Sequence, residues 1–337
     1  MCKTPTFAPI ITLKLIVMKS KTLLFIIANV FIINALCAQS RSELFFKNAD
    51  TLNKKRVVGL VAAGAVGYTG AVLLLNNVWY ADFPRSKFHT FEDNGEWNQA
   101  DKGGHVLTAY VETKWAYQAF RWAGVKNRNA AWLGIATGTI LQTTIEVLDG
   151  FSAQWGFSKG DMIANAGGCA LFGLQQAAWN EQRIILKVSN FPKKYSKMLI
   201  KDADGSSKSV SSMSKTLYGS NYAQTFFKDY NALNWWLSIN PHSFAKNSRF
   251  PAWLNVDFGY SVENVFGAYG NYFPANDYTL YPRHRQYFLS LDIDLSKIKT
   301  NNKFVKALCN TFNFIKIPAP ALEYNSLGKF KFHPILF

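Results

Sequence analysis

Asp101, Lys102 and His105 stand close together in an otherwise apolar stretch, and Glu112 follows them. Gln142, Glu146 and Asp149 form a second polar set, and Lys159, Asp161 and Asn165 a third. Acids, a histidine and lysines in apolar company point to a buried polar cluster. Burying an unpaired charge costs several kcal/mol, so these acids must be paired, protonated or bound to a cation. Three chemistries fit. The groups can satisfy one another as a purely structural network. Lys102, His105 and Lys159 can face a phosphate of a lipid or polyprenyl carrier. The histidine and carboxylates can hold a divalent metal of the hard or borderline class, or His105 can act as a general base oriented by Asp101. No HExxH, GxSxG, P-loop or paired-cysteine motif accompanies them. His89, His242, His284 and His333 fall in loop or strand contexts that do not tie them to the cluster.

The spacing calls for helices. Asp101, His105, Thr108 and Glu112 are separated by steps of four, three and four, which puts them on one helical face. Val106, Leu107, Tyr110, Val111, Trp115 and Phe120 occupy the others. Gln142, Glu146 and Asp149 run beside Leu141, Ile145, Val147 and Leu148, while Asp161 and Asn165 share a face with Gly168 one turn on. Helices are therefore expected over about 101–123, 128–149 and 160–181, with their polar stripes facing one another. Asp161, just after Gly160, suits a helix start, where free backbone N–H groups and the dipole favour a carboxylate. Trp155 and Phe157 suit a plug in the preceding connection or a membrane interface. Val57 to Tyr80, with Gly59, Gly64, Gly67 and Gly70 inside it, reads as a fourth helix, about 36 Å long. It suits a membrane span or a core helix of a bundle.

Beyond Gln182 the period changes to two. Apolar residues alternate with polar ones around 184–188, 233–239, 254–262 and 287–295, and the closing "GKFKFHPILF" resembles another strand. Leu254, Val256, Phe258 and Tyr260 should share one side. Residues 202–215 read as a mobile polar loop. The expected fold class is α+β: a four-helix module of small-residue-rich apolar helices over 57–181, then an antiparallel β region over 183–337. A curved sheet packed on the helices is expected rather than a small barrel, which needs about eight strands.

The chain of 337 residues is 49% hydrophobic and 17% charged, with a net charge of +16. That balance argues against disorder and favours anionic partners. No helix-turn-helix, zinc-finger or RNP-like motif is present and the lysines are scattered, so membrane or anionic lipid is the expected partner, another envelope protein the alternative, and nucleic acid is not expected. Lys19, Lys21 and the apolar run Leu23 to Leu36 read as a secretory signal over 18–38, with 1–17 an upstream extension of a start at Met18 and cleavage before Gln39. The expected location is the cell envelope, in the periplasm or outer membrane of a Gram-negative bacterium. Cys37 suggests a lipoprotein, although Leu36 is larger than the residue a lipobox places there. Removal of the signal leaves Cys169 and Cys309, too few for a disulfide framework.

"DKGGHVLTAY" followed by "WGFSKGDMIANAGG" resembles the uncharacterised YfiM-like family of predicted periplasmic or outer-membrane proteins, most strongly over 97–183. The tail segments "YPRHRQYFLSLDIDLSKIKT" and "IPAPALEYNSLGKFKFHP" resemble its longer Bacteroidetes-type form. More distantly, Asp101, Lys102 and His105, then Asp161, Asn165 and Gly168, are similar to the pattern of VanZ-like membrane proteins. There an arginine usually precedes the second aspartate, and here Lys159 stands nearby. The resemblance implies an envelope location and no particular reaction. The resulting expectation is a non-catalytic envelope protein that contacts lipid or an envelope component through its polar cluster. The alternative is an envelope hydrolase or transferase acting on a phosphate-bearing lipid or glycan precursor.

Overall fold

The computed structural model describes residues 45–80, 84–201, 206–271 and 281–337. The expected signal segment 18–38 and the stretch 1–17 lie outside the described residues. The chain divides into Met1–Phe46 and Lys47–Phe337. All elements of the site and sheet belong to the second unit.

Helix α1 (Lys54–Leu74) begins where the Asn53 side chain accepts from the Arg56 N–H, and it runs on through a wider turn at Leu75–Trp79. Arg56 ties its base to the protein by donating to the Lys47 and Trp122 carbonyls, and Tyr68 meets Thr144 further along. No residue of α1 is buried, and a side chain added at Gly59, Gly64, Gly67 or Gly70 would meet nothing. Of the four helices expected in one module, this one stands apart. It is not a core helix.

The other three pack closely: α2 (Ala100–Trp122), α3 (Asn127–Gly150) and α4 (Lys159–Trp179). Their bounds lie within a few residues of the spacing-based expectation. Gly168 shows how close α2 and α4 come: a Cβ there would lie 2.1 Å from the Val106 carbonyl oxygen. Cys169 is buried against the Ala109 carbonyl in the same seam.

Among the described residues, six of the strands that follow make up the main sheet: β1 (Ile184–Asn190), β2 (Leu233–Ile239), β3 (Leu254–Glu263), β4 (His284–Ile293), β5 (Ala319–Asn325) and β6 (Phe330–Leu336). They form one antiparallel sheet in sequential order. The α+β class is as expected. Of the loop expected over 202–215, residues 202–205 lie outside the described residues, and the rest is not loop: Ser207–Ser209 pair with Leu199–Lys201. Val210–Tyr218 form a helix, because Ser209 caps it by accepting from the Ser212 N–H and Val210, Ser214 and Tyr218 bury one face.

The sheet curls strongly. Lys187 on β1 pairs with Asp292 on β4 and donates to the Ile293 carbonyl at 2.9 Å. On a flat sheet three strand steps would put those residues roughly 14 Å apart, so the face they share is the inside of the curl. At the far end, Asn234 on β2 donates to the Phe337 carbonyl at 2.7 Å. Within the curl lie Asn255, Asp257, Ser261, Gln286, Ser290, Asp292 and Glu323, all buried. Lys316 enters from beside β1 to face Asp257 and donates to the Leu291 carbonyl at 2.9 Å.

Leu254, Val256, Phe258 and Tyr260 do share one side, opposite Ile293, Leu291, Leu289 and Tyr287. That side is the outside of the curl. Helix α2 covers part of it, where Ala100 and Leu107 pack with Trp235, Tyr260 and Val262. Over the rest of β3 and over β4–β6 the outside is uncovered, and Phe258, Tyr287, Leu289, Leu291, Leu322, Tyr324, Phe330 and Phe332 are exposed. The sheet is thus packed on the helices only in part.

Candidate functional site

Helix spacing builds the site. One turn of α2 places Asp101 and His105 on the same face, with Lys102 beside them. From α4 come Asp161 in the first turn and Asn165 one turn later, and from α3 comes Glu146. Ser158 caps α4 by accepting from the Asp161 N–H at 3.0 Å, and so sets the rotation of the turn that carries the aspartate.

Lys102 Nζ bonds Asp93 Oδ1 at 2.6 Å and Asp161 Oδ1 at 2.7 Å and lies 3.7 Å from Asp101 Oδ2. His105 stands at the centre. Its Nε2 is 3.5 Å from Asp161 Oδ1 and 3.7 Å from Asp101 Oδ2. Its Nδ1 is 3.1 Å from Asn165 Oδ1 and 3.6 Å from Glu146 Oε1. Tyr230, in the turn before β2, donates to Asp101 at 2.8 Å, so the sheet side of the molecule contributes to the cluster. Glu146 accepts from the Ser158 N–H through Oε2, while its Oε1 has no hydrogen-bond partner.

The electrostatics follow from burial and crowding. Burial pushes the Glu146 carboxyl up to about 8, against the pull of His105. Burial and the Asp101 charge push Asp161 up to about 7. For His105 burial favours the neutral ring, but Asp101, Asp161 and Glu146 outweigh it and the net direction is upward. Burial acts on Lys102 too, and the bonds to Asp161 and Asp93 overcome it, so the ammonium is favoured. Asp93 moves below the ordinary aspartate value, because its hydrogen bonds outweigh its burial.

Asp101, Lys102, His105, Glu146, Asp161 and Asn165 therefore converge. Asp149 lies at the margin, where Tyr80 donates to it at 2.6 Å and burial raises it to about 6. Glu112 lies further along α2 with Gln142, which donates to it at 2.8 Å, and burial raises it to about 7. Lys159 does not join: it is exposed, and among the described residues no hydrogen bond or ion pair links it to the cluster. Its position on the first turn of α4 faces away from the turn's buried Asp161. Lys102 is already committed to two aspartates, so the lysines expected to face a phosphate do not converge. Trp155 packs edge-on against Tyr80 and Phe157 against Phe88, which plugs the connection before α4.

Asp93, Ser158, Tyr80 and Tyr230 were not among the expected site residues. Ser158 was detectable: Ser-Lys-Gly-Asp at 158–161 has the spacing of a capping box with an acid at its fourth position. Asp93 and Tyr230 sit in irregular chain, where no periodicity assigns a direction. One further feature borders the site. Trp97, Asn98 and Gln99 all have left-handed backbone, with φ of 49°, 52° and 63°. Such conformations persist when neighbours over-determine them. Here the Trp97 N–H donates to the Ala268 carbonyl and Arg285 donates to Gln99.

Residues 90–177 match the model of a family described as predicted periplasmic lipoprotein (DUF2279). The matched stretch holds the whole cluster except Tyr80 and Tyr230. Neither a curated protein nor a solved structure matches the chain. The match supports the expected envelope location on the periplasmic side, within an uncharacterised family. Cys37, the residue a lipid anchor would use, lies outside the described residues.

Proposed function

We propose that this envelope protein is a non-catalytic, membrane-seated component whose contact with lipid runs through the outside of the curled sheet and through α1, rather than through the polar cluster. The inversion of the sheet carries this reading. Along β4, Tyr287, Leu289 and Leu291 are exposed, Leu289 by 45%, while Gln286, Ser290 and Asp292 are buried. The same alternation on β5 exposes Leu322 by 55% and buries Glu323. A sheet bathed in water would place these faces the other way round. Apolar outside and polar inside is the patterning of strands that meet hydrocarbon. Withdrawing each such side chain from water is worth about 1.5–3 kcal/mol, and soluble monomers rarely leave so large an apolar patch open. Tyr287 and Tyr324 suit the boundary between acyl chains and headgroups. Helix α1 supports the same reading: it is the one helix among the described residues long and apolar enough to cross a membrane, and its sides are bare. The net charge of +16 suits an anionic lipid surface. The YfiM-like and VanZ-like resemblance of 97–183 is consistent with such a seat.

Leu289→Lys and Leu322→Lys test it by urea unfolding of the full chain in lipid vesicles. A lipid-facing position should lose about 2–4 kcal/mol near mid-bilayer. A change within about 0.5 kcal/mol, as at an ordinary wet surface position, would overturn the reading. So would a loss that tracks protein concentration rather than lipid, since that would mean a second chain covers the face.

A further inference from the structure

We infer that Asp101, His105 and Asp161 form a binding site for one divalent transition cation, of the zinc or manganese class. The site goes beyond the proposed membrane seat and does not depend on it.

The first ground is geometry. One oxygen or nitrogen from each of the three side chains lies within 4.8 Å of the others. His105 Nε2 has as its polar neighbours two carboxylate oxygens at 3.5 and 3.7 Å. Those distances are long for charge-assisted hydrogen bonds. They match the spacing of ligands around a shared ion, which is about 3.4 Å for tetrahedral bonds near 2.1 Å.

The second ground is the other side of the ring. Nδ1 is held by Asn165 Oδ1 at 3.1 Å. A hydrogen bond there places the proton on Nδ1 and turns the Nε2 lone pair toward the two aspartates. Ligating histidines are commonly held by such an outer partner. Tyr230, donating to Asp101 Oδ1, orients that carboxylate in the same manner and leaves its Oδ2 toward Nε2; Asp161 Oδ1 faces Nε2 while it also accepts from Lys102.

A third ground is independent of both. Glu146 is 1% exposed, and its Oε1 points at the imidazole without any hydrogen-bond partner. Four carboxylates, those of Asp93, Asp101, Glu146 and Asp161, face one lysine and one imidazole. Asp101 and His105 keep side-chain exposures of 27% and 19%, which gives an ion a route in. One imidazole nitrogen with carboxylate oxygens selects a borderline cation, while calcium would want six or more oxygens.

The experiment uses the full chain in detergent, stripped with chelator and titrated calorimetrically with Zn²⁺, Mn²⁺ and Ca²⁺. One Zn²⁺ or Mn²⁺ per chain is expected, bound at least tenfold more tightly than Ca²⁺. His105→Gln and Asp161→Asn should each weaken it by at least tenfold. His333→Gln, which removes a histidine paired with Glu323 on the sheet, should not. Should the cluster variants unfold, Co²⁺ added to the unaltered chain still decides the matter: d–d bands of a low-symmetry, four- or five-coordinate ion are expected. Absence of stoichiometric binding, the spectrum of hydrated Co²⁺ alone, or binding unaffected in well-folded His105→Gln and Asp161→Asn would overturn the site. Because no lipid is involved, these results stand apart from those on the membrane seat.

Discussion

At the scale of single residues, the helical module is held by acids whose burial is only partly compensated. Glu112 is the cleanest example, since it sits outside the cluster and has Gln142 as its hydrogen-bond donor. Burial raises its carboxyl from the ordinary 4.5 to about 7. The folded chain thus keeps a proton that the unfolded chain has lost. The stability this supplies is complete below the ordinary glutamate value and vanishes as pH rises through about 7. Glu146 and Asp161 shift in the same direction. In chelator-treated protein the melting temperature should therefore fall between about pH 5 and about pH 8. Glu112→Gln, which keeps an acceptor for Gln142, should match the parent at the acid end and exceed it at the alkaline end. Equal slopes for the two proteins would show that Glu112 is already ionised when folded.

At the scale of elements, the polar stripes converge because α2, α3 and α4 approach closely, and glycine permits that approach. A methyl at Gly168 would meet the Val106 carbonyl oxygen at 2.1 Å and the Tyr110 nitrogen at 3.0 Å. Gly168→Ala should destabilise the protein by about 1–3 kcal/mol, the usual cost of overpacking. Gly167→Ala next to it meets nothing and should be neutral or stabilising by up to about 1 kcal/mol through helix propensity. Equal effects in chemical denaturation would remove the close approach as the cause. Much of this level could be read beforehand. Steps of three and four residues gave the three packed helices and their converging stripe from Asp101 to Asn165. Alternation gave four of the sheet strands, and the C-terminal run gave β6. What escaped has physical reasons. Pro318 and Pro320 disguise β5, because proline argues against a strand interior, yet Pro320 leaves its neighbour Ala321 free to pair. Asp93 and Tyr230 reach the cluster from irregular chain. Alternation shows that a strand has two faces but not which one the curl encloses; that depends on distant pairs such as Lys187 with Asp292 and Lys316 with Asp257.

At the scale of the whole molecule, polar groups are gathered inward twice, once among the helices and once within the curl. Apolar surface is left outside on β3–β6 and along α1. Buried ion pairs such as Lys187 with Asp292 need a dry, well-bonded setting, and breaking one partner typically costs about 3–5 kcal/mol. The curl supplies that setting, and its outside then needs a solvent of its own. The central claim is that this solvent is acyl chain. The direct measurement attaches an environment-sensitive nitrobenzoxadiazole dye to Leu289→Cys in the full chain, with Cys169 as the other cysteine retained, in phosphatidylcholine–phosphatidylglycerol vesicles. The same dye at Lys299→Cys, an exposed loop position, is the comparison. Quenching at 289 by lipids brominated on the acyl chain, with little quenching by aqueous iodide, and the reverse at 299, is the expected result. Iodide quenching at 289 as strong as at 299, or no quenching there by either agent, would place the face in water or against protein and would contradict the account.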